Sequence, residues 1–213
     1  MANHPPLRWG ILSTARVLRR FVPGLRACPR SQLLAVASRD AERAALCAAR
    51  YGIPRHYGDY DALLLDPEID AVYIALPNHL HVPLALRCAA AGKHVLCEKP
   101  LALEPADIDA LRDAAARYGV HISEGFVHLH HPQARRLRAE LADEAQGALG
   151  TLANLRGGHG FSLRDPGNIR WRPEYGGGAL FDVGCYPVSA FLYYIGRRPS
   201  EVSAAAVYAE SGV

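Results

Sequence analysis

Between residues 7 and 127, short unbroken apolar runs alternate with longer stretches of helical periodicity. The run 7–13 ends in a Gly/Ser/Thr/Ala turn and predicts a buried first strand. A helix is predicted over 14–27, disturbed at Pro23. A second strand is predicted over 32–38, and Asp40 is placed to cap an Ala-rich helix over 41–51. A short strand edge and a helix share 57–65. The run 70–76 predicts another strand, followed by a helix over 82–91 closed by Gly92. Then come a strand at 94–97, a helix at 105–118 closed by Gly119, and a strand at 120–127.

The strand segments lack polar alternation. That pattern predicts an α/β fold with a parallel sheet covered by helices on both faces. Such sheets bind ligands beyond the carboxyl ends of their strands. After residue 127 the rhythm changes. A helix is predicted over 132–144, a strand over 151–156, a helix after Gly176-Gly177-Gly178, and a strand over 201–209. One or two strands make a poor sheet. The expectation is a dinucleotide-binding domain over 1–125 and an incomplete α+β substrate domain over 126–213.

Composition narrows the class. Of the 213 residues, 50% are hydrophobic and 21% charged, enough apolar material for a core. The net charge of +3 is spread along the chain, so there is no basic stripe for nucleic acid. Arg135, Arg136 and Arg138 cluster on a polar helical segment that reads as a solvated face. No apolar run approaches the roughly 20 residues of a membrane span, and residues 1–6 lack a leader pattern. Five cysteines (Cys28, Cys47, Cys88, Cys97, Cys185) form no C-x-x-C pair. Reduced thiols and a cytoplasmic location are expected.

Candidate chemistry sits where strands end. The first turn, Gly10-Ile-Leu-Ser13-Thr14-Ala15, stands where a dinucleotide-binding turn would bring backbone N–H groups to a pyrophosphate. Ser and Ala replace two of the usual glycines, and taken alone it reads better as an ordinary strand-to-helix turn; its weight comes from being the first βα turn of an alternating pattern. Strand two ends in Ser38-Arg39-Asp40. NAD-specific sites place an acid here, whereas a hydroxyl and a guanidinium suit the 2′-phosphate of NADP. The alternative is that Arg39 is a plain surface charge. Strand four ends in Leu76-Pro77-Asn78-His79, with His81 just beyond. Strand five ends in Glu98-Lys99-Pro100, presenting a cation to the cleft or forming a surface pair. His128, His130 and His131 read as polar cleft lining or as plain surface, with metal binding the least favoured. In a strand, residues 128 and 130 would share a face, but no Cys or carboxylate completes a metal set. Finally, Asp182 and Tyr186 are four residues apart, on one face if the segment is helical, and an acid beside a phenol can move a proton.

The ordered set Arg8–Ala15, Ala75–His79, Glu98–Pro100, Glu124–Phe126, His131–Gln133 and Gly176–Tyr186 resembles the Gfo/Idh/MocA oxidoreductase family. Residues 165–174 look especially like the branch of NADP-dependent D-xylose dehydrogenases and dimeric dihydrodiol dehydrogenases. The resemblance implies a Rossmann-type domain followed by an α/β domain with a large open sheet that often mediates homo-oligomerisation. It implies a sugar or diol substrate and NADP, with NAD less favoured. On it, Gly10, Ser13, Thr14 and Ala15 would hold the pyrophosphate, and Ser38 and Arg39 the 2′-phosphate. Leu76, Asn78, His79, Glu98 and Lys99 would line the nicotinamide end. Lys99 matches the family's active-site lysine and Asp182 its acid; Tyr186 falls where members carry the proton-handling His or Tyr. Asp182 would also orient the substrate, with Trp171 a cleft wall or a core aromatic. In this reading Tyr186 takes the hydroxyl proton, with Lys99 lowering its pKa. Leu129 departs from the branch, which commonly has arginine there. Family members continue well past the position of Val213. A nucleotide-binding fragment without catalysis is the alternative expectation.

Overall fold

The structure is a computed structural model that describes residues 5–142 and 149–213. The chain divides into two compact units, Met1–Gly125 and Phe126–Val213.

The first unit carries six parallel strands. They are β1 (Leu7–Leu12), β2 (Ser31–Ala37), β3 (Arg55–Tyr57), β4 (Ala71–Ile74), β5 (His94–Cys97) and β6 (Ile122–Glu124). Between them run α1 (Leu18–Ala27), α2 (Ala41–Tyr51), α3 (Tyr60–Leu64), α4 (His81–Ala90) and α5 (Pro105–Tyr118). The spatial order is β3-β2-β1-β4-β5-β6. This is the doubly wound Rossmann order, and its direction reverses between β1 and β4.

The unbroken apolar runs follow from burial on both faces. Successive strand residues point to opposite sides. Leu12, Val72 and Ile74 join Leu63, Leu84, Cys88 and Leu111 in one core layer. Their neighbours Ile11, Val36 and Tyr73 join Leu18, Val22, Cys47 and Ala48 in the other. A face with water on it would have shown polar alternation.

Local signals set the helix ends. Asp40 accepts a hydrogen bond from the Arg43 N–H at 3.0 Å and caps α2. Gly119 closes α5 in the left-handed region, and Gly92 follows α4 with φ +71°. Helix α1 begins at Leu18 rather than at residue 14, because Ser13 draws the intervening residues into a turn. It runs through Pro23 without ending. Strand β6 is shorter than its apolar run and gives way to a 3₁₀ turn, Val127–His130.

The second unit holds α6 (Pro132–Ala142), a 3₁₀ turn at Ile169–Trp171, another at Pro173–Tyr175, a π turn at Leu180–Gly184 and α7 (Cys185–Ile195). The last two residues of the helix expected over 132–144 lie outside the described residues. The strands expected over 151–156 and 201–209 are not formed. A strand is stable only when its N–H and C=O groups meet a ladder partner, and among the described residues these segments have none. Val202, Val207 and Tyr208 are exposed accordingly.

The expectation of no span-length apolar stretch also needs correction. By length and composition, the 23 residues Pro173–Ile195 are apolar enough to cross a membrane. However, the stretch is built from a 3₁₀ turn, glycines, a π turn and eleven α-helical residues. Eleven α-helical residues reach about 16 Å, against about 30 Å of bilayer hydrocarbon.

Candidate active site

In the first unit the candidate residues gather at the carboxyl ends of adjacent strands. The β1 exit is tied by Ser13, which is 2% exposed. Its hydroxyl donates to the Ala75 carbonyl at 2.6 Å and accepts the Ala15 N–H at 2.9 Å. Ser13 thus joins the β1 exit to the β4 exit and shapes the turn. Thr14, Ala15 and Arg16 are exposed beyond it. The N–H groups of Arg16 and Val17, at the start of α1, make no hydrogen bond among the described residues. Gly10 serves packing: a Cβ there would meet Leu63 Cδ2 at 2.8 Å and Ile69 Cγ2 at 3.3 Å.

At the β2 exit the Ser38 hydroxyl accepts the Asp40 N–H at 3.2 Å. The Asp40 carboxylate is turned into its helix cap. Arg39 is exposed, and its guanidinium lies by the Tyr60 hydroxyl. Burial raises the Tyr60 pKa, and Arg39 opposes that shift.

At the β4 exit, Leu76 is half-buried and Asn78 and His79 lie in a 3₁₀ turn, Asn78–Leu80. The neighbouring β5 exit, Glu98-Lys99-Pro100, is fastened at three points. Tyr73 on β4 donates its hydroxyl to Glu98 Oε1 at 2.5 Å. The His81 ring meets the Pro100 carbonyl at 2.7 Å. Glu124, at the end of β6, accepts the Leu101 N–H at 2.8 Å. Burial pushes the Glu124 pKa up, while the Leu101 N–H and the Lys99 charge pull it back. Lys99 is held in the middle of this segment. The strap residues Tyr73, His81 and Glu124 carry no role in the sequence reading, since each is remote in sequence from the loop it holds.

In the second unit the three glycines do the positioning. A Cβ on Gly177 would stand 2.5 Å from the Arg170 carbonyl oxygen and 2.8 Å from that of Arg172. Without one, the Gly177 and Gly178 N–H groups donate to the Arg172 and Arg170 carbonyls at 3.0 and 2.9 Å. That folds the chain back onto the 3₁₀ turn at Ile169–Trp171. There Arg170 Nε meets Asp182 Oδ2 at 2.5 Å. The Asp182 side chain is only 15% exposed. Arg170 is the partner that sequence reasoning missed, because it lies in an irregular segment with no periodicity to place it. Trp171 is half-buried in the same turn.

The segment after the glycines begins as a π turn and becomes α-helical at Cys185. A π turn closes i→i+5, so Asp182 and Tyr186 are offset from the vertical stack of a pure α-helix. The Tyr186 ring is ringed by Phe126 at 6.0 Å, His128 at 5.3 Å and His159 at 5.2 Å between centroids. Burial, with His130 adding to it, lowers the His128 pKa and favours the neutral imidazole. Its buried Nδ1 has no hydrogen-bond partner among the described residues.

The histidine triplet does not act as one group. Residues 128 and 130 stand on a 3₁₀ turn, where residues two apart do not share a face. His131 instead accepts the Gln133 N–H at the start of α6. No group of three His, Cys, Asp or Glu among the described residues is placed to hold a metal ion.

This architecture defines a class, the NAD-binding Rossmann-fold oxidoreductases, whose family model matches residues 7–126. The chain belongs to the Gfo/Idh/MocA family, and the model of that family's C-terminal domain matches residues 135–212. The chain is 39% identical to D-xylose 1-dehydrogenase (NADP(+)) 2 of Haloferax volcanii, over 89% of its own length and 58% of the relative's. It is 35% identical to trans-1,2-dihydrobenzene-1,2-diol dehydrogenase of Xenopus tropicalis, over 97% and 62%. Among solved structures, the 3-ketoreductase KijD10 of Actinomadura kijaniata, in complex with NADP and TDP-benzene, superimposes with a TM-score of 0.77. It is 33% identical, over 89% of this chain and 57% of that one. The chain therefore spans about three fifths of the length of these curated relatives.

Proposed function

We propose that the chain carries the cofactor site and part of the substrate site of an NADP-dependent dehydrogenase acting on a sugar or diol hydroxyl. The observation that carries this reading is the β2 exit. Asp40 is committed to capping α2, while Arg39 stands exposed beside Ser38. A ribose 2′-phosphate fits that pair, by charge-assisted hydrogen bonds that NAD cannot make. The N–H groups at the start of α1 suit the pyrophosphate. Leu76, Asn78, His79, Glu98 and Lys99 suit the nicotinamide end. The names of the xylose dehydrogenase and the ketoreductase complex, both of which mention NADP, support the same choice.

When bound, the nicotinamide supplies or takes the hydride. The chain's own residues handle binding and the proton. Tyr186 takes the proton from the substrate hydroxyl, a step that needs help because a free phenol titrates near pH 10. Lys99 supplies a cation at the nicotinamide end of the cofactor site. Asp182, held by Arg170, accepts a hydrogen bond from a substrate hydroxyl and orients it. Trp171 offers an apolar wall.

A second reading, a nucleotide-binding fragment without turnover, is favoured by the absence of any strand among the described residues of the second unit. One experiment addresses both. Thermal unfolding is followed with NADP(H) and NAD(H), and hydride transfer is assayed with aldoses and diols. Strong stabilisation by NADP(H) alone supports the cofactor assignment, because a ligand that binds only the folded state raises the melting temperature. Binding without turnover selects the fragment. Equal response to both cofactors removes the Arg39 assignment.

A further inference from the structure

His81 opens α4, and its side chain is fully buried. Its Nε2 lies 2.8 Å from the carbonyl oxygen of Leu76, at the β4 exit. Its Nδ1 lies 2.7 Å from the carbonyl oxygen of Pro100, in the β5 exit loop. Both partners can only accept. A neutral imidazole owns one N–H and an imidazolium owns two. A neutral ring therefore serves one carbonyl, and only the charged ring serves both.

Given the proposed dinucleotide site, we infer that His81 is a positioning residue, a proton-dependent bridge between the two adjacent strand exits that carry Leu76 and Asn78 on one side and Glu98 and Lys99 on the other. The spacing of those exits sets the width of the nicotinamide end. Small displacements there matter, since about 1 Å of misplacement can cost about a hundredfold in rate. The titratable groups acting on the ring are Glu98, from the β5 exit, and His79, from the 3₁₀ turn. Burial lowers the ring's pKa and His79 adds to this, while the two carbonyls and Glu98 oppose it. The complete bridge therefore belongs to the acid side of the ordinary imidazole range, and one strap is released as pH rises.

The test compares the whole 213-residue chain with His81→Met and His81→Gln. Methionine fills the space without a donor. A glutamine amide has two N–H donors on one nitrogen at every pH. The first readout is hydrogen exchange of the Leu101 amide, which sits next to the bridged carbonyl. Exchange is expected to quicken about tenfold in His81→Met and to return toward the natural rate in His81→Gln. The second readout is NADP affinity across about pH 5.5 to 8. His81→Met is expected to weaken it about tenfold. The natural chain is expected to lose affinity with rising pH more steeply than His81→Gln.

Equal Leu101 exchange in all three forms overturns the bridge. So do superimposable pH profiles for the natural chain and His81→Gln, a comparison that stands even if His81→Met does not fold. If no form binds NADP, the dinucleotide reading fails, and the exchange comparison alone decides on the bridge.

Discussion

In the first unit the candidate residues other than Gly10, which lies inside β1, stand beyond the ends of strands locked into a six-strand ladder between two apolar layers. In the second, Asp182 and Tyr186 stand on helical turns that bury no residue, and Ala134 is the one buried hydrophobic residue described in that unit. The first unit carries its candidate groups on a packed ladder, with directed contacts only fastening the loops beyond it: shift a strand and a core layer must break. The second places them by directed contacts, a glycine turn against two carbonyls and a guanidinium against a carboxylate. Packing spreads the cost of an error over many neighbours, whereas directed contacts concentrate it in one or two atoms.

The largest expected effect separates the two kinds of support. Leu12→Ala, at a fully buried position, should lower stability by about 2–5 kcal/mol. Leu192→Ala, on the exposed side of α7, should stay within about 0.5 kcal/mol. Urea unfolding of both variants checks this, and equal losses would erase the contrast.

Next comes the polar node under the sheet. Asp66, 8% exposed, accepts from Arg55 and Tyr57 at 2.8 Å each. Asp66→Asn should cost about 1–3 kcal/mol. Burial by itself would raise the Asp66 pKa, but hydrogen bonds from the Glu68 N–H, Tyr57 and Arg55 more than offset it, so the net shift is downward. Asp70 is lowered chiefly by its hydrogen bond from Arg8. For a carboxyl with a depressed folded pKa, the added stability is present above the unfolded value near 3.9 and is lost as pH falls through the folded value. Urea midpoints at about pH 7 and pH 3 should therefore diverge less in Asp66→Asn than in the natural chain. An unchanged pH slope would remove Asp66 from the account.

A smaller global effect with a sharp local readout is expected at Gly177. A methyl group there must displace the Arg170 and Arg172 carbonyls. Gly177→Ala should leave the first unit's unfolding unchanged. Tryptic cleavage after Arg170 should quicken about tenfold, as expected of local opening. Unchanged cleavage would mean that the turn holds by other means. Smallest of all, Arg136→Gln removes the exposed i,i+4 partner of Glu140 and should change stability by less than about 0.5 kcal/mol.

Much of this was legible in the chain itself, for reasons visible at particular residues. Unbroken runs such as Leu33–Ala37 announce strands covered on both faces, and Asp40 announces a helix start. The Glu98-Lys99-Pro100 and Gly176–Tyr186 motifs pointed to the family, and comparison with known proteins bears that out. The strands at 151–156 and 201–209 were over-read, because β-propensity needs a partner before it becomes a strand. Asp182 was legible as an acid but its Arg170 partner was not, since they stand twelve positions apart across mostly irregular chain. Gly10 was read as part of a phosphate-binding turn, whereas it lies inside β1 against the Leu63 methyl groups, 53 residues away.

The sequence by itself determined the element types and order of the first unit, the two-sided burial of its sheet, the cap at Asp40 and the family motifs. All of these depend on interactions spanning a few residues or on residue identity. Only the tertiary structure decided that Ser13 ties β1 to β4, that Tyr73, His81 and Glu124 strap the Lys99 loop, and that Arg170 turns to Asp182. Each of those contacts joins groups remote in sequence. The hydrogen bond exists only once the chain entropy between them has been overcome by the rest of the fold.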